Sequence, residues 1–470
     1  MRDILNLFAA ASGLYTNLTK CTFSPIRCSQ EDLAIVNNTF PCKYLGIPLS
    51  IHKLTKAQLQ PLVDKVANRL PTWKSGLINR PGRVALAKST LAVIPVHISI
   101  AIGLPPWVFR ALDKIIKGFV WCGTSSASGG NCVVAWDKVC RPTELGGLGI
   151  PNLRLQGRAL RLRWNWLRRT DHDTTWVDLP EKQDAAVTQF FAASVIAEVG
   201  DGQRTLFWTD NWLRGKSIAQ LAPAIFNGVP ARTRNTRTVA EGLNGETWIR
   251  DIAGTRTFQL IRKFLALVDE LQAIHLDPDQ RDRLIWRWSS SREYTAASAY
   301  QAFFIGQVGA AGARELRPAR APPKVKFFIW LALLDRCWTN VRRHRYGLQQ
   351  NDECSFCSQL QEIVGHLLLG CPFSREVWFK LLRNTVSQRL TPYSEAQLAD
   401  WWCSSRKQLP KDRRKQFDSL VLLVSWELWK ERNRRVFHQQ GKVNITDRTG
   451  GSSAVNRAKF ILSWARSPEG

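Results

Sequence analysis

Four residues in the last third of the chain have the types and spacing of a metal site: Cys354-x2-Cys357-x8-His366-x4-Cys371. Zinc prefers four tetrahedral sulfur and nitrogen ligands, and a Cys-x-x-Cys turn delivers two thiolates from one tight loop. Four protein ligands leave no position open for water, so the chemistry expected is structural: one zinc ion holding a small module together. The apparent binding free energy of such a site is roughly 10–16 kcal/mol, comparable to the stability of a whole domain. The plain alternative is a set of chance thiols in a reduced core. Ser358, three residues before Gln361, reads as a capping-box start for a helix that carries His366. Gly370 breaks that helix, Cys371 lies just past the break, and Pro372 suits the first turn of the next helix. A histidine and a cysteine five apart do not share a helix face, so the break is what lets both bind.

Just before the cluster, Arg317, Arg320, Lys324, Lys326, Arg336, Arg342, Arg343 and Arg345 face a single acid, Asp335. Cations neutralise phosphates and release counterions, and aromatic faces stack unpaired bases. Lys324, Lys326, Arg336, Trp338, Arg342, Arg343 and Arg345 are therefore candidate nucleic-acid contacts. Arg161, Arg163 and Arg168 join them from a basic stretch, Arg154 to Arg169, that contains no acid. The competing reading is a solvated helix face. Phe327, Phe328, Trp330, Leu331 and Leu334 have helical spacing and are expected in the core. A third basic stretch holds Arg413, Arg414, Lys415, Lys430, Arg432, Arg434 and Arg435.

The bulk numbers point the same way. Lys and Arg total 66 against 38 acids in 470 residues, a net charge of +28. Such an excess attracts polyanions, nucleic acid first and acidic membrane second. No apolar run of bilayer length occurs, so no membrane is expected. The first residues lack the long apolar core of a secretory signal, and the chain is not expected to be secreted. Eleven cysteines at irregular spacings do not read as a disulfide framework, so a reducing compartment is expected.

The elements that must position these groups are mainly helices. Apolar spacing predicts helices from Thr55 to about Trp73, after Pro81-Gly82, from Pro106 to about Trp121, over Arg154–Arg169, and over 412–437. Phe40 to Leu49 reads as a strand or extended turn, and Gly146-Gly147-Leu148-Gly149 as a glycine-rich turn. Gly200-Asp201-Gly202 before Thr205–Trp208 predicts one hairpin, and Leu284–Trp288 before Tyr294 a second. Gly306 to Arg320 is the best linker candidate, and the last twenty residues are expected to be loose. The fold class is mainly α with short β-hairpins (α+β), ending in a small zinc-bound helical module.

Several motifs give the chain a resemblance to the C-terminal half of plant non-LTR (LINE-type) retrotransposon reverse transcriptases, including their zinc-binding domain. They are Ala11-Ser12-Gly13-Leu14-x-x-Asn17-x-x-Lys20, Lys43-Tyr44-Leu45-Gly46-Ile47-Pro48-Leu49, Gly82-Arg83-x-x-Leu86-x-Lys88-Ser89 and Gly146-Gly147-Leu148-Gly149. Further along come Phe207-Trp208-x-Asp210-x-Trp212, Tyr294-Thr295-x-x-Ser298-Ala299-Tyr300 and Pro323-Lys324-Val325-Lys326-Phe327-Phe328-x-Trp330, then the ligand set and Glu431-Arg432-Asn433-x-Arg435-x-Phe437. The resemblance implies the end of a polymerase palm over 1–30, a thumb-like helical region over 31–175 and a mixed linker region with hairpins over 176–317. It places the zinc-binding domain at 318–405 and a basic helical tail at 406–470.

The family polymerises with two metal ions held by palm aspartates, one motif being an aromatic-x-Asp-Asp turn. That turn is expected upstream of Ser12-Gly13, and no Asp-Asp pair occurs in the sequence. Asp201 and Asp210 read as turn residues or caps. The expectation is a zinc-binding protein that holds RNA or DNA without catalysing synthesis, with nuclear residence favoured over cytoplasmic. The alternatives are a polymerase fragment active only with a separate palm-containing reverse transcriptase chain, and an inert translated relic.

Overall fold

The structure is a computed structural model, and it describes residues 2–15, 42–50, 53–69, 77–124, 131–171, 184–253, 258–385, 387–393 and 397–437. The chain divides into two compact units, Met1–Arg69 and Leu70–Gly470. Among the described residues no helix is long and apolar enough to cross a membrane.

In the first unit, helix α1 (Arg2–Ser12) precedes a tight hairpin of β1 (Cys42–Tyr44) and β2 (Ile47–Leu49), paired Cys42 to Leu49 and Tyr44 to Ile47. Leu45 and Gly46 form its turn, both at positive φ (49° and 78°), the twist a two-residue hairpin needs. Helix α2 (Lys56–Asn68) begins at a capping box of Thr55 and Gln58 and buries Leu59, Leu62, Val63 and Val66. That spacing is one helical stripe.

The second unit opens with α3 (Arg80–Leu86), which runs into a π-helical turn at Ala87–Leu91. Helix α4 (Pro106–Cys122) buries Val108, Leu112, Ile115, Ile116 and Phe119 along one side, and Gly123 in the left-handed region ends it. The glycine-rich turn follows. Gly146 and Gly149 have positive φ, and a Cβ on Gly147 would collide with the Arg141 backbone. Helix α5 (Leu153–Thr170) is the expected basic helix, capped by Asn152, with Leu153, Gly157, Ala159, Leu162 and Trp166 inward. Two of its arginines are tied down, Arg158 to Asp184 at 3.1 Å and Arg169 to both oxygens of Asp210. Asp210 also accepts the Leu206 amide at 2.8 Å, as a turn cap does.

The two expected local hairpins are replaced by one long-range ribbon. Strand β3 (Val195–Glu198) pairs antiparallel with β4 (Arg283–Trp286), Val195 opposite Trp286 and Glu198 opposite Arg283. The Gly200–Thr205 segment forms no strand because a side chain satisfies its amides: Asp282 accepts from the backbone N–H groups of Gly200, Gly202, Arg204 and Thr205 and from the Thr205 hydroxyl, at 2.8–3.0 Å. Phe207, Trp208, Trp212 and Trp248 then form a buried aromatic core.

Gly306 to Arg320 is packed rather than a free linker. Ala310 donates its amide to the Leu145 carbonyl, Ala310 and Ala313 lie against Gly146, and Arg317 pairs with Glu144. Small side chains there allow the close approach. Beyond it lie α6 (Pro323–Leu333), α7 (Asn340–Arg345), α8 (Pro372–Thr385), α9 (Leu398–Lys407) and α10 (Lys411–Phe437). Phe327, Phe328, Trp330 and Leu331 are buried as expected. Helix α10 is a core element: Phe417, Leu420, Val421, Leu422, Val424 and Leu428 are all buried. The expected loose C-terminal residues lie outside the described residues.

Burial pushes the Asp282 carboxyl upward, but its backbone and Thr205 hydrogen bonds outweigh that and hold it below the usual carboxylate value. A depressed folded value means that its stabilisation is present above the unfolded value of about 3.9 and is lost as pH falls through the folded one. Asp282→Asn is expected to lower stability at neutral pH by about 1–3 kcal/mol. Denaturant titrations at several pH values should show the penalty shrinking as the pH is lowered through the acid range. An unchanged midpoint at pH 7 would show that the carboxylate does not hold this loop.

Candidate metal centre

The segment around the first two cysteines is a knuckle closed by backbone hydrogen bonds. Cys354 donates to the Leu360 carbonyl at 2.8 Å, Ser358 donates to the Cys354 carbonyl at 2.9 Å, and Glu353 bridges antiparallel to Gln361. Ser358 has a φ of +52°. It lies inside this turn, so the expected capping box at Ser358 and Gln361 does not form. The Phe356 amide points at the Cys354 sulfur, 3.5 Å away.

His366 and Cys371 meet by a different route from the expected break alone. His366–Gly370 is a π-helical turn, and the Cys371 amide donates across it to the His366 carbonyl at 2.7 Å. An i→i+5 turn brings residues five apart into register, and such turns recur at functional sites. Ser374 donates to the Leu367 carbonyl at 2.6 Å and Trp378 Nε1 to the Leu368 carbonyl at 2.9 Å, so carbonyls of the wide turn are satisfied from α8. Pro372 opens α8, as expected.

One donor atom from each of the four residues lies within 4.8 Å of the others. The sulfurs of Cys354 and Cys371 are 3.9 Å apart, and Cys357 Sγ is 3.4 Å from His366 Nε2. Ligand bonds of 2.3 Å to sulfur and 2.0–2.1 Å to nitrogen put tetrahedral edges at about 3.5–3.8 Å. The spacing, the three sulfurs and the imidazole fit one zinc ion with no fifth position.

The local field also suits a cation. The adjacent Cys371 thiol pulls Cys354 well below the ordinary thiol range, against burial, with His366 and the Phe356 and Cys357 amides adding to the pull. Cys371 is pushed up, first by Cys354 and then by burial. Cys354 raises His366, again against burial.

Behind the ligands lies a group that sequence reasoning missed. Glu362 has no exposed surface and Arg432 almost none, and they pair at 2.8 Å. One Glu362 oxygen accepts from the Asn340 amide (2.8 Å) and Arg432 Nε (2.9 Å); the other accepts from the Ser355 amide and hydroxyl (3.0 and 2.6 Å). Arg432 also donates to the Asn340 side chain at 2.6 Å, and Asn340 Nδ2 reaches the Glu353 carbonyl at 2.7 Å. The knuckle, the start of α7 and the long helix α10 are joined here. Arg435 lies over the rings of Phe356 and Phe373, 4.9 and 4.7 Å from their centroids, and clasps both ligand loops. The available signal was Glu362 itself, the one acid between Cys354 and Cys371.

The structure scatters the expected nucleic-acid contacts. Trp338 and Arg342 come together with Tyr346: the guanidinium carbon of Arg342 lies 4.8 Å from the Trp338 centroid and 5.9 Å from that of Tyr346. Arg343 covers Phe437 at 4.8 Å. Arg336, Arg345 and Lys324 are exposed. Lys326 is half-buried and donates to the Arg317 carbonyl at 2.9 Å. On α5, Arg163 is exposed and Arg168 half-buried, and Arg161 lines a small cleft with Arg154, Arg158 and Asp184.

Knuckle, π-turn ligand pair and buried support define a structural zinc module. Residues 294–378 match the family described as zinc-binding in reverse transcriptase, a match that begins before the expected boundary at 318. The chain is also 26% identical over 453 residues to an Arabidopsis thaliana protein provisionally named a ribonuclease H protein, which spans 89% of this chain and 69% of that protein. The chain thus carries the zinc-binding domain found in reverse transcriptases, with Cys354, Cys357, His366 and Cys371 placed to hold one zinc ion.

Metal analysis of the purified chain should give one zinc per molecule, and Cys354→Ser/Cys357→Ser should give none. A second expectation concerns the support: Arg432→Met leaves the Glu362 charge buried and unpaired, a loss of about 3–5 kcal/mol. Denaturation of the zinc-loaded protein measures it, and a change near zero would remove the pair from any role in holding the module.

Proposed function

We propose that this chain is a retrotransposon-derived zinc-binding protein that holds single-stranded RNA or DNA beside its zinc module and does not itself synthesise DNA. The observation that carries the reading is the Trp338–Arg342–Tyr346 cluster on the segment anchored by the knuckle. Trp338 and Tyr346 rings lie 5.5 Å apart, Tyr346 is exposed, and Arg342 faces their π surfaces rather than a carboxylate. Arg342 Nε and Nη1 are buried without a hydrogen-bond partner among the described residues, so no acid there answers its charge, and the exposed Tyr346 ring offers a face to an unpaired base. Arg343, His344 and Arg345 follow in the last turn of α7, where the helix dipole favours cations.

Zinc has a positional role in this reading. Glu362, between the ligands, holds the Asn340 amide, the first of α7, so a loaded knuckle fixes the segment that carries the cations.

The test uses the full chain loaded with zinc, with binding of single-stranded RNA and DNA followed against salt. Each phosphate contact contributes about 0.7 to the slope of log affinity against log salt for single strands. Arg342→Ala/Arg343→Ala/Arg345→Ala should therefore lower the slope by about 2 while bound zinc stays at one. Salt-independent or absent binding would refute the reading. Nucleotide incorporation on a primed template by the chain alone would replace it with a polymerase.

A further inference from the structure

Three of the motifs noted in the sequence lie far apart along the chain, yet they close around one cavity of about 300 Å³ that the zinc centre does not use. The π-helical turn after α3 contributes Lys88, the glycine-rich turn contributes Gly146 and Gly147, and α6 contributes Lys326, Phe327 and Trp330. Its walls are largely apolar and partly aromatic. Trp330 is fixed in place: its Nε1 donates to the Gly146 carbonyl at 2.8 Å, and Trp121 stacks on it with centroids 6.4 Å apart.

Two ammonium groups line this space. Lys326 has its Nζ on the Arg317 carbonyl, and Lys88 forms no hydrogen bond or ion pair among the described residues. The charged neighbour acting on Lys88 is another cation, Arg317. Burial, and then Arg317, pulls Lys88 below the ordinary lysine value, and burial alone does the same to Lys326. Glu144 is engaged by Arg317. A half-buried amine without a counter-charge is costly, and a bound anion relieves that cost.

We propose that this cavity binds one nucleotide, its base against Phe327 and Trp330 and its phosphate on Lys88 and Lys326. The proposal deepens the nucleic-acid reading above and rests on it. The volume is at the small end of ligand pockets, suited to a single nucleotide. A terminal phosphate carries about 1.5 to 2 negative charges near neutrality, matching two ammonium groups where a carboxylate would match one. The aromatic walls suit a base, since every base has a π face. The nucleotide can be free or can be the phosphorylated end of a bound strand.

The experiment is calorimetric titration of the zinc-loaded full chain with AMP and UMP, with inorganic phosphate and adenosine as separate probes. The nucleotides should bind at least about tenfold more tightly than either part, and Lys88→Gln/Lys326→Gln should lose at least about tenfold, with bound zinc and melting unchanged. Lys88→Arg, which keeps the charge, should retain binding and guards against a folding defect in the double variant. Competition between AMP and a 5′-phosphorylated oligonucleotide assigns the nucleotide to a strand end, and absence of competition assigns it to a free nucleotide. AMP binding no tighter than phosphate, or binding untouched by the double variant, overturns the proposal. If strands still bind with a salt slope while AMP does not, the pocket alone fails; if strands do not bind, the reading beneath it fails.

Discussion

Glu362 and Arg432 are both almost wholly removed from water, and the zinc module's attachment to the rest of its unit depends on that pair. Taking two charges out of water costs several kcal/mol per ion, repaid only when geometry is good and every remaining donor and acceptor is met. Both carboxylate oxygens are met here, by the Asn340 and Ser355 amides, the Ser355 hydroxyl and the guanidinium. Zinc holds its four ligands to each other, but it cannot say how the knuckle is oriented against α10. The pair says it, because a shift of one turn along α10 would leave a bare charge in the core.

The same device recurs wherever the chain must organise a loop. Asp282 gathers four amides, Asp251 holds Arg237 and the Trp208 indole, and buried Asp418 holds Arg406 and the Trp402 indole. In a chain with 66 basic and 38 acidic residues, each carboxylate placed inside is one fewer on the surface. Among the described residues Arg342 and Lys88 have no carboxylate partner, while Arg169, Arg237 and Arg432 do.

Elements set by local chemistry were legible in the sequence. The helix that starts at Thr55, the apolar stripe of α4, the basic helix α5 and the ligand spacing each follow from residues within a turn or two of one another. The buried Phe327, Phe328 and Trp330 were legible for the same reason. Legibility ended where a partner far along the chain decides. β3 carries no local signal of its own and pairs with β4 nearly ninety residues on, and the Gly200 amides read as a hairpin until Asp282 takes them. Gly306–Arg320 has the composition of a linker, but its small residues are what allow it to approach Gly146. The π-helical turn at His366 escaped because periodicity assumes 3.6 residues per turn, and only a wider turn aligns residues five apart. Arg432 sits among surface cations in α10, and nothing nearby in sequence marks it as the buried one.

A structural metal can still govern a binding surface it never touches. The route runs through few groups: the knuckle presents Glu362 and Ser355, these fix Asn340, and Asn340 is the first residue of the helix that carries Arg342, Arg343 and Arg345. That helix has only six residues, too short to be stable by itself in water, so its position is lent by the anchored end. The cations it presents are ordered only while that anchor holds. A metal whose coordination is closed to substrates thereby sets the position of Arg342, Arg343 and Arg345, and spares the ordering entropy that these three side chains would lose if an unanchored segment had to be fixed on contact with a partner.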